Sequence, residues 1–325
     1  MSVQAGPLVG RRYRLLARLG EGGMGTVYRA RDERLKRDVA VKLVPGRFGQ
    51  DAQFVESFCR EAELCAGLAH PGIVNVFDAG TEPRPFIVME LVHGLDAGAL
   101  ARRGMGLSAE QTGRIVAQVC QALAFVHARG VLHRDVSPGN ILLRRSDGAA
   151  KLADFGLASR ADEVSGTRLE DVAGTPGYIA PEVLSGARPT PQSDLYSLGV
   201  ATYRLLAGPR RAGPAGEATA TIGLATAAPR LSPLRELRPK VPRGLTSAIQ
   251  QATAWEPGAR QRSVAEFRAQ VLDAVDRRRR AGVDGPGPSR RARRSGGRAR
   301  ARGRRARSAR RVGASWPAKA ASSST

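Results

Sequence analysis

A glycine cluster, Gly20-Glu21-Gly22-Gly23-Met24-Gly25, separates two strand-like runs at residues 13–19 and 26–30. The spacing Gly20-x-Gly22-x-x-Gly25-x-Val27 is shared by two kinds of phosphate-binding loop and by turns that bind nothing. A dinucleotide-binding turn has a strand before its glycines and a helix after them. Here strand-like sequence lies on both sides, which predicts a hairpin. Without side chains, such a hairpin lies close over phosphates and offers them backbone N–H groups.

A third strand is expected at 38–44, with Val39-Ala40-Val41-Lys42. Alone, a lysine ending an apolar run is usually a surface cation with a buried stem. Residues 54–68 place Phe54, Phe58, Ala62, Cys65 and Leu68 at helical spacing, and this helix carries Glu61 and its neighbour Glu63. Two further strands are expected at 72–77 and 86–91. Beyond residue 96 the pattern turns helical. Residues 111–128 put Ile115, Val119, Leu123 and Val126 on one face, and more helices are expected within 181–207, 245–254 and 267–275. The fold class is α+β, with a small β-rich lobe followed by a larger helical one.

Three more motifs follow in order: His133-Arg134-Asp135-Val136-Ser137-Pro138-Gly139-Asn140, Asp154-Phe155-Gly156 and Ala180-Pro181-Glu182. Each is short, but together, at these spacings after the glycine cluster and Lys42, they resemble the eukaryotic-type protein kinase superfamily. The chain is most similar to its bacterial serine/threonine kinases, and the arginine-, alanine- and glycine-rich composition suits a bacterial source. The resemblance covers about residues 10–275 and includes Met89-Glu90-Leu91-Val92, the run 193–199, and Pro257-Gly258-Ala259-Arg260. It implies a bilobal domain over 10–276, with an N-lobe over about 10–92 and a C-lobe over about 93–276.

The resemblance also implies ATP and Mg²⁺ as cofactors and protein serine or threonine hydroxyls as acceptors. Lys42 would meet the α- and β-phosphates, held by Glu61, while Glu63 faces away. Asp154 and Asn140 would bind Mg²⁺, and Asp135 would orient the incoming hydroxyl. Gly20, Gly22 and Gly25 would cover the phosphates. Leu19, Val27, Ala40 and Leu142 would enclose the adenine, with Met89 as gatekeeper and backbone of Glu90 and Val92 as its hydrogen-bonding edge. His133 and Phe155 are expected to pack rather than react. Glu182 and Arg260 are expected to form a bracing ion pair, and Asp194 to hold backbone near Asp135.

Three positions depart from the family. Ser137 stands where serine/threonine kinases usually carry lysine, which removes a charge from the transition state at an expected cost of about 2–4 kcal/mol. Residues 205–245 lack the usual aromatic anchor, and Gln261 replaces a common proline. Ser137 and the altered region 205–245 motivate a rival, a pseudokinase-like nucleotide- or protein-binding module with weak or no transfer. The activation segment, 154–182, offers Ser159, Ser165, Thr167 and Thr175. Autophosphorylation is expected at Thr167 or Ser165, pairing with Arg134, whereas Thr175 would shape a platform favouring serine or threonine over tyrosine.

The net charge of +23 is unevenly placed. Residues 1–276 carry +7, and residues 277–325 carry +16, with one acid, Asp284, and no Ile, Leu, Phe or Tyr. Such a tail cannot bury enough surface to offset chain entropy and is expected to be disordered. Its arginines, at 277–311, suit nonspecific polyanion or nucleic-acid contact, a passive solvated arm, or a reading frame running past the domain. Absence of a long apolar stretch argues against a transmembrane anchor. Cys59, Cys65 and Cys120 lack metal-ligand spacing and suit reduced thiols in a cytoplasmic protein.

Overall fold

The computed structural model describes residues 6–22, 25–46, 49, 51–104, 106–155, 175–208 and 231–283; the side chains of Gln53, Ser57, Glu61 and residues 281–283 lie outside that description. In the N-lobe, β1 (Leu8–Val9), β2 (Tyr13–Gly22), β3 (Gly25–Asp32), β4 (Arg37–Leu43), β5 (Val76–Gly80) and β6 (Phe86–Met89) form one antiparallel sheet in the order β1-β2-β3-β4-β6-β5. β2 and β3 are the expected hairpin, closing with Gly22 opposite Gly25. Gly25 has φ 127°, and a Cβ there would lie 2.2 Å from the Leu43 carbonyl oxygen, so no other residue fits.

Alternation along β4 divides the lobe into two layers. Val39, Val41 and Leu43 pack with Tyr13, Leu15, Phe86 and Val88 on one face. Ala40 packs on the other with Ile87, Met89 and the apolar stripe Phe54, Phe58 and Ala62 of α1 (Ala52–Ala66). Residues two apart on a strand share a face, so Lys42 points where Ala40 points, toward the cleft.

The C-lobe begins with β7 (Gly94–Asp96), α2 (Ala97–Arg102) and α3 (Ala109–His127). A 3-10 turn, Pro138–Asn140, leads into β8 (Ile141–Arg144) and β9 (Ala150–Leu152), and β7, β8 and β9 form a small antiparallel sheet. Then follow α4 (Pro181–Leu184), α5 (Pro191–Ala207), α6 (Leu234–Leu237), α7 (Arg243–Ala252) and α8 (Val264–Val283). α5 is buried on nearly all sides, the mark of a central helix. Its Leu195, Leu198, Leu205 and Leu206 share a core with Ile115, Val119 and Leu123 of α3, Leu245 and Ile249 of α7, and Phe267 and Val271 of α8. No helix among the described residues is long and apolar enough to cross a membrane.

Three expectations are corrected. The strand placed at 72–77 lies at Val76–Gly80, because 72–74 instead brace β9: Leu152 N donates to Gly72 O and Val74 N to Leu152 O. The span 181–207 is two helices, and Pro191, which needs no N–H partner at a first helical position, starts the second. α8 continues through 277–283, the start of the segment expected to be a disordered tail; Arg277 pairs with Asp273 at i,i+4 (2.8 Å), which favours helix there. Residues 284–325 lie outside the described residues.

Glu182 and Arg260 form the expected brace. The guanidinium is fully buried and all five of its N–H groups are used: two on the Glu182 carboxylate at 2.7 Å each, the others on the carbonyls of Gln192, Ala254 and Trp255. Removing the carboxylate leaves a buried cation with nothing to neutralise it. Glu182→Ala is expected to lower stability by about 3–5 kcal/mol in urea unfolding; a loss under about 1 kcal/mol would contradict this account.

Candidate active site

The cleft face of the N-lobe sheet and the first C-lobe strands bring the apolar candidates together. Val27, Ala40, Met89, Val92 and Leu142 belong to one cluster, with Ala153 beside them. Leu19 lies on β2 and is half exposed. A Cβ at Gly20 or Gly22 would meet no protein atom within 4 Å, so packing does not demand glycine at either position. Glu90 N donates to Asn75 O at 2.9 Å, which leaves this residue only its carbonyl for any other backbone contact.

Lys42 is buried, and its Nζ lies 3.1 Å from Asp154 Oδ1. Asp154 sits just after β9 with φ 59°, a left-handed conformation that costs a non-glycine residue about 1–3 kcal/mol. Its neighbour Ala153 donates its N–H to Asn140 O at 2.9 Å. Asn140 Nδ2 in turn donates to Asp135 Oδ2 at 2.7 Å and to Asp135 O at 2.8 Å. The opposite oxygen, Asp135 Oδ1, accepts the Thr175 N–H at 2.8 Å and the Thr175 hydroxyl at 2.7 Å. Lys42, Asp154, Asn140 and Asp135 are thus linked across one cleft.

Glu61 lies on α1, whose buried stripe packs against the same cluster as Ala40; its side chain lies outside the described residues, while Glu63 is exposed. Ser137 is buried, and its carbonyl accepts the Asn140 N–H. Ser159, Ser165 and Thr167 also lie outside the described residues, as does most of the departure at 205–245. Gln261 is buried and donates to Ala248 O and Gln270 Oε1, filling a polar niche that proline could not.

The loop that carries Asp135 is held from below. Asp194, almost fully buried near the start of α5, accepts from His127 Nε2 (2.8 Å), His133 N (2.9 Å) and Arg134 N (2.8 Å). Arg134 is held with φ 67°. His133 Nε2 donates to Ala153 O at 2.9 Å, and its Nδ1 accepts the Asp135 N–H at 3.2 Å, so the imidazole is neutral with its proton on Nε2. The ring packs on Phe155 with centroids 4.5 Å apart.

The donor set fits a hard divalent cation. Asn140 spends its amide donors on Asp135, which leaves Oδ1 free to face an ion, and Asp154 supplies a carboxylate. Among the described residues no three or more His, Cys, Asp or Glu side chains cluster as metal ligands. An ion here would complete its shell with water and phosphate oxygens, as Mg²⁺ does.

Sequence reasoning missed two supports. Lys151, buried in β9, donates to Ile73 O (3.1 Å) and Glu90 Oε2 (2.8 Å), tying the lobe connection to the strand before Asp154. A lysine inside the apolar run 150–153 was the available signal. His127 as a partner of Asp194 left no signal, since 67 residues separate them.

A family model described as the protein kinase domain matches residues 13–237. The serine/threonine-protein kinase PknA of Mycobacterium tuberculosis is 38% identical over 295 residues, covering 89% of this chain and 66% of PknA. PknB of Mycobacterium leprae is 37% identical over 274 residues, 82% of this chain and 43% of PknB. PrkC of Bacillus subtilis is 33% identical over 272 residues, 83% of this chain and 42% of PrkC. The chain therefore spans about two thirds of PknA and less than half of the other two. The crystal structure of the Mycobacterium tuberculosis PknI kinase domain superimposes with a TM-score of 0.67 at 29% identity, covering 85% of this chain and all of that domain.

Burial holds the His133 imidazole below its ordinary pKa. Below about pH 6.5 the unfolded chain binds a proton that the folded His133 refuses, so stability falls as pH falls. The slope contributed is up to about 1.4 kcal/mol per pH unit. His70, lowered chiefly by burial, adds in the same direction. His133→Gln is expected to flatten the stability profile between pH 6.5 and 5, read by denaturant unfolding at each pH; an unchanged slope would rule out this titration.

Proposed function

The chain belongs to the protein kinase domain family, and from that premise we propose that it transfers the γ-phosphate of ATP to serine and threonine hydroxyls of proteins. The observation that carries the reading is the continuous link from Lys42 through Asp154, Ala153 and Asn140 to Asp135. Phosphoryl transfer asks little covalent chemistry of a protein; it asks for charge neutralisation and in-line aim.

In this reading Lys42 binds phosphate oxygens from the N-lobe side, and Glu61 on α1 is the acid that would share its ammonium. Asp154 and the Asn140 Oδ1 hold Mg²⁺, which supplies positive charge to the phosphate oxygens when bound. Val27, Ala40, Met89 and Leu142 make an apolar bed for the base, with Leu19 at its mouth and Glu90 and Val92 backbone at its edge. Gly20, Gly22 and Gly25 cover the phosphates. Asp135, fixed on one edge by Asn140 and on the other by Thr175, accepts the hydrogen bond of the incoming hydroxyl and then its proton. The Thr175 hydroxyl beside the base supports a serine or threonine acceptor over the longer tyrosine. Ser137, lacking the usual lysine, is expected to slow the step without removing the residues that make it possible.

The test is incorporation of labelled phosphate from ATP with Mg²⁺ into a serine- and threonine-containing protein. Asp135→Asn is expected to lower turnover by about 10²–10⁴-fold while nucleotide binding persists. Lys42→Ala should reduce it comparably. Equal transfer by wild type and both variants, or none by wild type that binds nucleotide, would overturn the proposal.

A further inference from the structure

α7 and α8 converge on a pair of small residues. A Cβ on Gly244 of α7 would lie 3.2 Å from Ala274 Cβ of α8, so the helices meet there with almost nothing between them. Beside this contact they enclose a groove of about 580 Å³. Ala248 and Ala274, both buried, give it an apolar floor. Amides join its two walls: Gln270 Nε2 donates to Gln251 Oε1 at 3.2 Å, and Gln270 Oε1 accepts from the buried Gln261 at 2.7 Å. The Gln251 N–H groups are left without a partner among the described residues. The groove is thus formed before anything enters it.

The residues that line it are unbalanced in charge, with four cations and one acid. Lys240 and Arg243, just before α7 and at its first position, are exposed, and their side chains have no polar partner among the described residues. Arg277 and Arg278 stand on the α8 wall. The acid, Asp273, pairs with Arg277 at 2.8 Å, and Arg278 lies 3.9 Å from Glu110. The undescribed stretches 209–230 and 284–325 hold one acid each, Glu217 and Asp284, against three and twelve arginines, so they bring no excess of negative charge. The acids of 156–174 belong to a segment whose flanks, Phe155 and Thr175, lie against His133 and Asp135.

Those flanks are at the opposite end of α3 from the groove. Glu110 lies in the first turn of α3, and a Cβ on Gly113 would sit 2.9 Å from Val275 Cγ2 of α8. His127 ends the same helix and bonds Asp194, which holds the loop before Asp135. α3 has 19 residues, so at 1.5 Å per residue its ends are about 27 Å apart. An extended chain needs at least about eight residues to cover that distance.

Resting on the kinase reading above, we propose that this groove docks an aspartate- or glutamate-rich segment of the protein substrate, at least about eight residues from the serine or threonine that receives phosphate. Carboxylates meet Lys240 and Arg243 on one wall and Arg277 and Arg278 on the other, and the Gln251 amide donates to a peptide carbonyl. Nucleic acid fits less well, because no aromatic side chain lines the groove to stack a base. Docking at one end of α3 raises the effective concentration of the hydroxyl at the other without touching the chemistry.

The experiment uses the full chain and two fluorescent peptides. Each carries one threonine and one run of glutamates, joined by about 3 or about 24 glycine and serine residues, the longer linker having an r.m.s. length near 27 Å. Phosphorylation and binding by anisotropy are measured at about 0.15 M salt, which screens exposed tail charge. The proteins are wild type, the double variant Lys240→Glu with Arg243→Glu, and Arg34→Glu, a charge reversal at an exposed N-lobe residue. Wild type and Arg34→Glu are expected to show a KM about tenfold lower for the long-linker peptide than for the short one. In the double variant that advantage disappears, and both peptides bind about tenfold more weakly. A purely structural effect would lower phosphorylation of both peptides alike and leave their ratio unmoved. No advantage in wild type, or one that survives in the double variant, would overturn the proposal. So would single-stranded DNA whose affinity falls in the double variant while that of the peptides does not. If no peptide is phosphorylated, the kinase reading fails, while the anisotropy still decides the groove.

Discussion

Asp194 is the contact from which the geometry of the cleft follows. A carboxylate almost out of reach of water has to find donors within the protein, and it finds one side chain and two successive backbone N–H groups. Those two belong to His133 and Arg134, so the loop is pinned one residue before Asp135. The pinning also explains why Arg134 can hold a left-handed conformation that arginine rarely adopts. Because Asp194 rides on α5, the helix most enclosed by the C-lobe core, the direction of the Asp135 carboxylate is set by the packing of the whole lobe. Strain in the loop and rigidity in the helix are two sides of one arrangement.

A second constraint is that each buried cation among the described residues is matched by a carboxylate. Lys42 is buried beside Asp154, Lys151 beside Glu90, and Arg260 beside Glu182. Such pairs add little net stability compared with apolar packing, but breaking one is costly, so they fix relative position. Their placement is orderly. Lys42 with Asp154 spans the lobes, Lys151 with Glu90 ties the lobe connection to β9, and Arg260 with Glu182 holds α4 to the end of the domain. His133 contributes the uncharged counterpart, joining Asp135 to Ala153 through a single neutral ring.

What could be read from the chain alone follows from the range of the interactions concerned. The β2–β3 hairpin was legible because its signal, glycines between two strand-like runs, is local. So were α1 and α3, whose apolar spacing repeats over several turns. The strands of β7, β8 and β9 run only three or four residues, too short for alternation to register, and the sheet they form went unanticipated. Residues 72–74 look like a strand in sequence but bond to β9, a choice made by partners some 78 residues away. Motif order placed Asp135, Asn140 and Asp154 on the chain, yet the amide of Asn140 linking them, and the Thr175 hydroxyl on Asp135, required coordinates. The extension of α8 into the arginine run was obscured by composition, since like charges suggest solvation until an acid one turn earlier, Asp273, is seen to pair with Arg277.

The bond from Glu90 N to Asn75 O carries a consequence for molecular discrimination. With its amide hydrogen committed inside the protein, residue 90 can present only lone pairs to a heterocycle lying against it. A purine bearing an exocyclic amine at the contacting position would supply the missing hydrogen, whereas one bearing an exocyclic oxygen would set lone pair against lone pair.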